Sequence, residues 1–141
     1  MIDFHVDRAG SVPAYAQIVQ QVREALRLGR LQTGDRLPTV RDVVVSCTVN
    51  ASTVLKAYRE LEHAGLVEAR QGSGTFVSGS LGTVEPHDMA RLRTRFARWV
   101  AEAREAGLEN EDVQALVTSV LGEEPAADAR ERAAKTAQEI A

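Results

Sequence analysis

Apolar residues recur at different spacings along this chain, and each change of spacing marks an element. Ile18, Val19, Val22, Ala25 and Leu26 form one stripe at helical period, ending at Gly29. A second helix is predicted from about Val40 to Cys47. Pro38 fixes the backbone ahead of Thr39, whose hydroxyl can cap first-turn amides, and Asp42 stands where a capping box places its acid. Its inward side is Val40, Val43, Val44 and Cys47, although the run Val43-Val44-Val45 has weak helix propensity and by itself reads equally as a strand.

Thr48-Val49-Asn50 breaks the pattern, and Asn50 or Ser52 can cap a third helix whose inward residues are Val54, Ala57, Tyr58 and Leu61. Gly65 stops it, and Leu66 can pack back near Leu61. Two helices joined by a short turn make a helix-turn-helix, whose second helix enters the major groove of DNA. Opposite the apolar side lie Ser52, Lys56, Arg59 and His63, with Glu60 and Glu62 on the flanks. This outward stripe has donors and no acid, which suits phosphates and base edges; a solvated helix surface gives the same pattern.

Val67 to Arg70 and Thr75 to Val77 read as two short strands around Gln71-Gly72-Ser73-Gly74, where either glycine can supply the positive φ of a hairpin. A phosphate-cradling loop fits less well, because this Gly-x-Gly neither follows a long buried strand nor opens a helix.

The string Leu37-Pro38-Thr39-x-Arg41, then Val49-Asn50-x-Ser52-Thr53-Val54-x-Lys56-Ala57-Tyr58, Leu61-Glu62 and Gly65-Leu66-Val67, then Arg70-x-Gly72-x-Gly74-Thr75-Phe76-Val77, resembles the DNA-binding domain of GntR-type winged-helix regulators. Pro13-x-Tyr15-x-Gln17-Ile18 and Gly29-x-Leu31-x-x-Gly34-Asp35 extend the match without a gap back to Pro13. The resemblance implies DNA contacts by Arg41 at the end of the helix before the turn, by Asn50, Ser52, Thr53 and Lys56 on the reading helix, and by Gln71 and Gly72 in the wing. Arg59 and Arg70 complete a basic group around these positions. Some members carry arginine where this chain has Ala51 and Leu55, so its base contacts and operator differ; Cys47-Thr48 stands where the family more often has Leu-Gly.

Ser78 to Gly82 reads as a flexible linker by composition. Beyond it, Met89, Leu92, Phe96, Trp99, Val100 and Ala103 lie on one helical stripe stopped by Gly107, and Val113, Leu116, Val117, Val120 and Leu121 on another ending at Gly122. Two helices have too little core to stand by themselves, so the hairpin must pack on the winged helix, on another copy, or on both. Aromatics on the stripe fit a subunit interface, with Met89, Leu92, Phe96, Trp99, Val100, Leu116 and Val120 as its residues. A C-terminal part of this length resembles that of YtrA-type GntR regulators, for which transporter operons and the regulator's own operon are the implied targets.

The expected fold is therefore mostly α: a winged helix-turn-helix over 1–77, a linker at 78–86, a two-helix dimerisation hairpin at 87–122, and a tail at 123–141, frayed or disordered, with Pro125 as a break. The net charge of −3 is unusual for a DNA-binding chain. Its distribution resolves the tension. Residues 1–80 hold 9 basic and 8 acidic side chains, the remainder 8 and 12, so the acidity lies in the hairpin and tail.

One cysteine excludes an intrachain disulfide and suits a reducing cytoplasm; Cys47 reads as a small buried apolar residue, with a redox sensor as the alternative. No signal peptide or hydrophobic span is present, so a cytoplasmic protein without membrane contact is expected. His5, His63 and His87 are scattered, no metal-ligand spacing or nucleophile elbow occurs, and neither an enzyme nor a cofactor is expected. His5 and Asp7 as a metal pair are outweighed by a disordered or strand-like N-terminus. The reading is a homodimeric repressor on a palindromic operator in double-stranded DNA. Its alternative is a winged helix used only for protein-protein contact. Room remains for a small-molecule effector of unknown identity, although no constellation of charges marks its site.

Overall fold

In the computed structural model, residues 2–82, 84–123 and 135 are described, and they fall into two compact units divided between Arg91 and Leu92. In the first unit, α1 (Ala14–Arg27), α2 (Val40–Cys47) and α3 (Ala51–His63) precede β1 (Val67–Arg70) and β2 (Gly74–Val77). The strands pair antiparallel, with Val67 opposite Val77 and Arg70 opposite Gly74.

The predicted stripes meet in one core. Ile18, Val22, Val54 and Leu61 are sealed from solvent, and Leu37, Val43, Val67 and Val77 close it from the loop, α2 and the wing. Each such burial contributes about 1.5–3 kcal/mol. No polar side chain among the described residues is buried.

Helix α2 forms despite its β-branched run because its start is chemically fixed. Thr39 Oγ1 accepts from the Asp42 amide at 3.1 Å and Asp42 Oδ2 accepts from the Thr39 amide at 3.3 Å, completing the capping box. Val43 anchors the helix in the core, while Val40, Val44 and Cys47 pack at its margin. At the other end Thr48 takes a left-handed conformation, φ 53° and ψ 50°. This is the position where the resembled family more often has glycine, so the turn is retained with a β-branched residue in a strained geometry.

Three features go beyond the sequence reading or depart from it. The N-terminus is extended and docked: Phe4 is buried, with Ile2 and Val6 packed beside it. Gln21 Oε1 accepts from the His5 amide at 3.0 Å and its Nε2 donates to the His5 carbonyl at 2.6 Å; Gln17 brackets Asp7 in the same way, at 2.8 and 2.7 Å. One helical turn advances about 6 Å over four residues and an extended chain about 6.6 Å over two, so side chains spaced i, i+4 on α1 match alternate residues of the arm. Ile2, Phe4 and Val6 alternate with Asp3, His5 and Asp7, the period of the strand-like N-terminus that the sequence offered beside a disordered one.

The wing is also broader than a hairpin. Arg36 bridges to Phe76, and Leu37 N donates to Thr75 O at 2.9 Å while Val77 N donates to Asp35 O at 2.8 Å, so the loop before α2 adds a third short strand segment.

The supposed linker is pinned rather than flexible at its start. The amides of Ser78 and Gly79 both donate to Leu66 O, at 2.9 and 3.1 Å, and Leu81 packs on the core. A Cβ on Gly79 would lie 2.6 Å from Gly65 O, so glycine serves close approach of two backbones here.

In the second unit, α4 (Pro86–Glu105), which begins in the first unit, bends at Gly107 into α5 (Asn110–Gly122). Glu109 and Asp112 form a capping box at the start of α5, and Arg104 Nη2 donates to Asn110 Oδ1 at 3.0 Å across the bend. The two helices share little contact, and Ala103 is the one buried hydrophobic residue among those described here. A closed hairpin core is therefore not formed within this unit. The tail expected to be frayed or disordered lies outside the described residues, apart from Glu123 and Lys135.

Candidate nucleic-acid interface

The residues expected to meet DNA come from three elements of the first unit. Arg41 is exposed and stands in the first turn of α2, not at its end, because Thr39 caps the helix just ahead of it. It has no ion-pair partner among the described residues. Tyr58, inward from α3, donates its hydroxyl to Pro38 O at 2.6 Å and so ties the start of α2 to the core of α3. Burial pushes this phenol well above its ordinary value, with the charges of Asp42 and Cys47 adding to the effect.

Asn50 is the residue ahead of α3, with backbone angles of a cap, yet its side chain makes no capping hydrogen bond. Thr53 N donates to Asn50 O at 3.0 Å, so the carboxamide and the amides of Ala51 and Ser52 are the groups open to an incoming acceptor, the arrangement by which helix starts meet phosphate. Ser52 is exposed on the same turn, and Thr53 is half-buried.

Lys56 is exposed, but its Nζ lies 3.9 Å from the centre of the Tyr15 ring at the start of α1. The cation is thus steered toward α1 by the ring's negative face. Beyond it a shallow groove between α1 and α3 is lined by Arg23, Lys56, Arg59 and His63, and Glu60 shares it. Arg23 was not among the expected contacts, since on the sequence it is only a polar position beside the α1 stripe. The groove is basic but not free of acid.

In the wing, Gln71 and Gly72 are exposed at the tip. Arg70 is engaged by Glu68, with Nε and Nη2 both 2.9 Å from Oε1, and its guanidinium lies 4.4 Å from the centre of the Phe76 ring. Arg36 is a basic residue that the sequence reading passed over; its guanidinium lies against Gly74, where an added Cβ would meet Nε at 3.0 Å. Its signal is the bridge to Phe76, a pairing invisible without the third strand segment.

Cys47 is half-buried and donates its thiol to Phe4 O at 3.2 Å, so it serves as a packing residue that also holds the N-terminal arm. Among the described residues no cluster of metal-ligating side chains occurs, and no helix is long and apolar enough to cross a membrane.

Comparison with known proteins matches this arrangement. A family described as bacterial regulatory proteins, gntR family, matches residues 14–77. The chain is 33% identical over 116 residues to the HTH-type transcriptional repressor YtrA of Bacillus subtilis, covering 82% of this chain and 89% of that one. It is 40% identical over 115 residues to the HTH-type transcriptional regulator Rv1152 of Mycobacterium tuberculosis, covering 82% and 91%. In structure it resembles a transcriptional antiterminator from Listeria monocytogenes, with a TM-score of 0.55, 28% identity, and coverage of 84% and 90%. With a helix-turn-helix and wing in the order those relatives share, the chain belongs to the GntR family, in its YtrA-type group, and is a DNA-binding transcriptional regulator.

Proposed function

We propose that this regulator is a cytoplasmic homodimeric repressor that occupies a palindromic operator and blocks transcription, with a transporter operon and its own operon as targets. The observation that carries the reading is the unspent apolar surface of the second unit. Leu92 is 45% exposed, Phe96 51% and Val120 57%, and Leu116 is exposed beside them. Phe96 and Trp99 stack with ring centres 5.7 Å apart, a rigid aromatic pair suited to the centre of an interface. A second copy supplies the cover that these helices do not give each other, with Met89, Trp99 and Val100 continuing the stripe. The Bacillus subtilis relative is itself named a repressor, which supports that mode of action.

On the DNA, Arg41, Asn50, Ser52, Thr53 and Lys56 approach bases and nearby phosphates, while Arg59, Arg70, Gln71 and Gly72 hold the backbone. Two copies engage half-sites separated by about 34 Å or a multiple of it. Linking them makes the second contact intramolecular, a gain of about 10²–10⁴ in affinity. Exchange of Arg70 from Glu68 to a phosphate accompanies binding.

The test is Trp99→Asp, which places a charge in the proposed interface. Sedimentation is expected to report a monomer, and gel shifts a loss of about 10²–10⁴ in affinity for the full palindrome with a single half-site bound as before. A variant that stays dimeric, or a monomer that binds the palindrome like the parent, overturns the dimer reading.

A further inference from the structure

Among the exposed large apolar side chains of the first unit, one lies on the reading helix itself. Every other large apolar residue of α3 is buried, namely Val54, Tyr58 and Leu61. Leu55 is 40% exposed, and Ala51, one turn before it, is exposed as well. Neither belongs to the core, and neither lies in the groove where α3 meets Arg23 of α1. Val45 on α2 is more exposed, but the first helix of such a pair crosses the DNA backbone, whereas the N-terminal half of the second faces base edges. Exposure alone does not separate the two residues; the groove that their helices meet does.

The base edges of the major groove carry one apolar group, the 5-methyl of thymine. Arg41 on α2 and Arg59 on α3 are exposed and without ion-pair partners among the described residues, so the two helices that carry this surface also carry free cations that draw a duplex to it. We infer that Leu55, with Ala51 beside it, reads thymine through contact with its methyl group and so sets the operator's base preference at that step. The inference rests on the DNA-binding reading of α3 and adds a discriminating contact that hydrogen-bonding residues do not make.

The experiment selects an operator from random duplexes with the full chain, then replaces its thymines one at a time by deoxyuridine, which removes only the methyl group. At the position facing Leu55 the parent is expected to bind about fourfold more weakly after replacement, the ratio set by burying one methyl group. Leu55→Ala loses that dependence, while Arg41→Ala keeps it. Because side-chain removal on an exposed helix surface can still disturb folding, Leu55→Gln provides a second readout: a glutamine at this place selects adenine where the parent selects thymine. Indifference of the parent to every replacement, a methyl dependence that survives in Leu55→Ala, or an unchanged thymine preference in Leu55→Gln overturns the proposal. A library from which no sequence is enriched overturns the placement of α3 in the groove instead, and the thymine contact falls with it.

Discussion

Residues 4–77 surround a continuous core in which Ile18, Val22, Val54 and Leu61 have no solvent contact, whereas the described residues of the second unit bury Ala103 and little else. Both regions carry clear amphipathic stripes in the sequence. They differ in what those stripes meet. In the first unit the stripes of α1, α2 and α3 converge, and the wing and N-terminal arm close the remaining sides. In the second, α4 and α5 present apolar residues that neither helix covers for the other. Periodicity thus marks an apolar surface without specifying what covers it, and the contrast separates a region whose stripes cover one another from one whose stripes stay exposed in the protomer.

The sharpest way to break this contrast is to remove matched side chains from each region. Leu61→Ala leaves a cavity at the centre of the first unit and is expected to lower stability by about 2–5 kcal/mol, read from the denaturant midpoint. Val120→Ala, at an exposed position, is expected to change the denaturation of the isolated protomer by less than about 0.5 kcal/mol while weakening self-association. Equal losses of protomer stability in both variants would mean that the second unit carries a core of its own.

Next in size are the proposed DNA contacts, all of them residues of the first unit. Arg41→Ala is expected to weaken operator binding by about 1–3 kcal/mol and to relax preference at one base. Arg59→Ala, at a phosphate-facing position, is expected to weaken all sequences alike and to reduce the log-log salt slope by about 0.9. Native circular dichroism with unchanged binding in both variants would mean that α3 docks the other way round.

Much of the first unit was legible because its signals are local. Thr39 and Asp42 announce a capping box, and the two glycines of the wing turn announce a hairpin; φ is 77° at Gly72 and 117° at Gly74. What escaped depends on contacts between distant residues. Gln17 and Gln21 read as polar positions on a helix until the arm lies across them, and Arg36 reads as a loop residue until Phe76 pairs with it. Ser78 to Gly82 has the composition of a linker, but Gly79 is small because Gly65 O lies so close. Arg70 looked like a free cation; Glu68 stands on the same side of its strand and engages it. For the interface residues, sequence pattern indicates which side chains face outward, while Lys56 required the Tyr15 ring to fix its direction.

A smaller effect tests how α2 is tied to α3. Tyr58→Phe removes the hydrogen bond to Pro38 O and is expected to lower stability by about 0.5–1.5 kcal/mol near neutral pH. The phenol holds its proton more tightly in the folded chain than in the unfolded one. Its contribution is therefore complete below the unfolded value of about 10 and declines as pH rises above it, because the unfolded chain then releases the proton first. Denaturant midpoints followed from pH 8 upward should fall less steeply in Tyr58→Phe than in the parent. Parallel curves would assign alkaline unfolding to other groups.

The smallest predicted change has the opposite sign. Thr48 holds φ 53° in the turn between α2 and α3, where a Cβ opposes the neighbouring carbonyl at about 1–2 kcal/mol for an L-residue. Glycine relieves that opposition but loses about 0.5–1 kcal/mol through the greater freedom of its unfolded chain. The difference leaves Thr48→Gly more stable by about 0.5–1 kcal/mol, while Thr48→Ala, which retains a Cβ, should gain less. A higher urea midpoint at unchanged slope is the expected result, confined to the transition of the first unit and without effect on self-association. If glycine lowers the midpoint, the threonine side chain stabilises the turn by more than its backbone geometry opposes it. Operator binding by the same variant then separates the two roles of the turn: unchanged affinity means that Thr48 matters for folding alone, whereas weaker binding means that its strained geometry sets the angle at which α3 is presented to the groove.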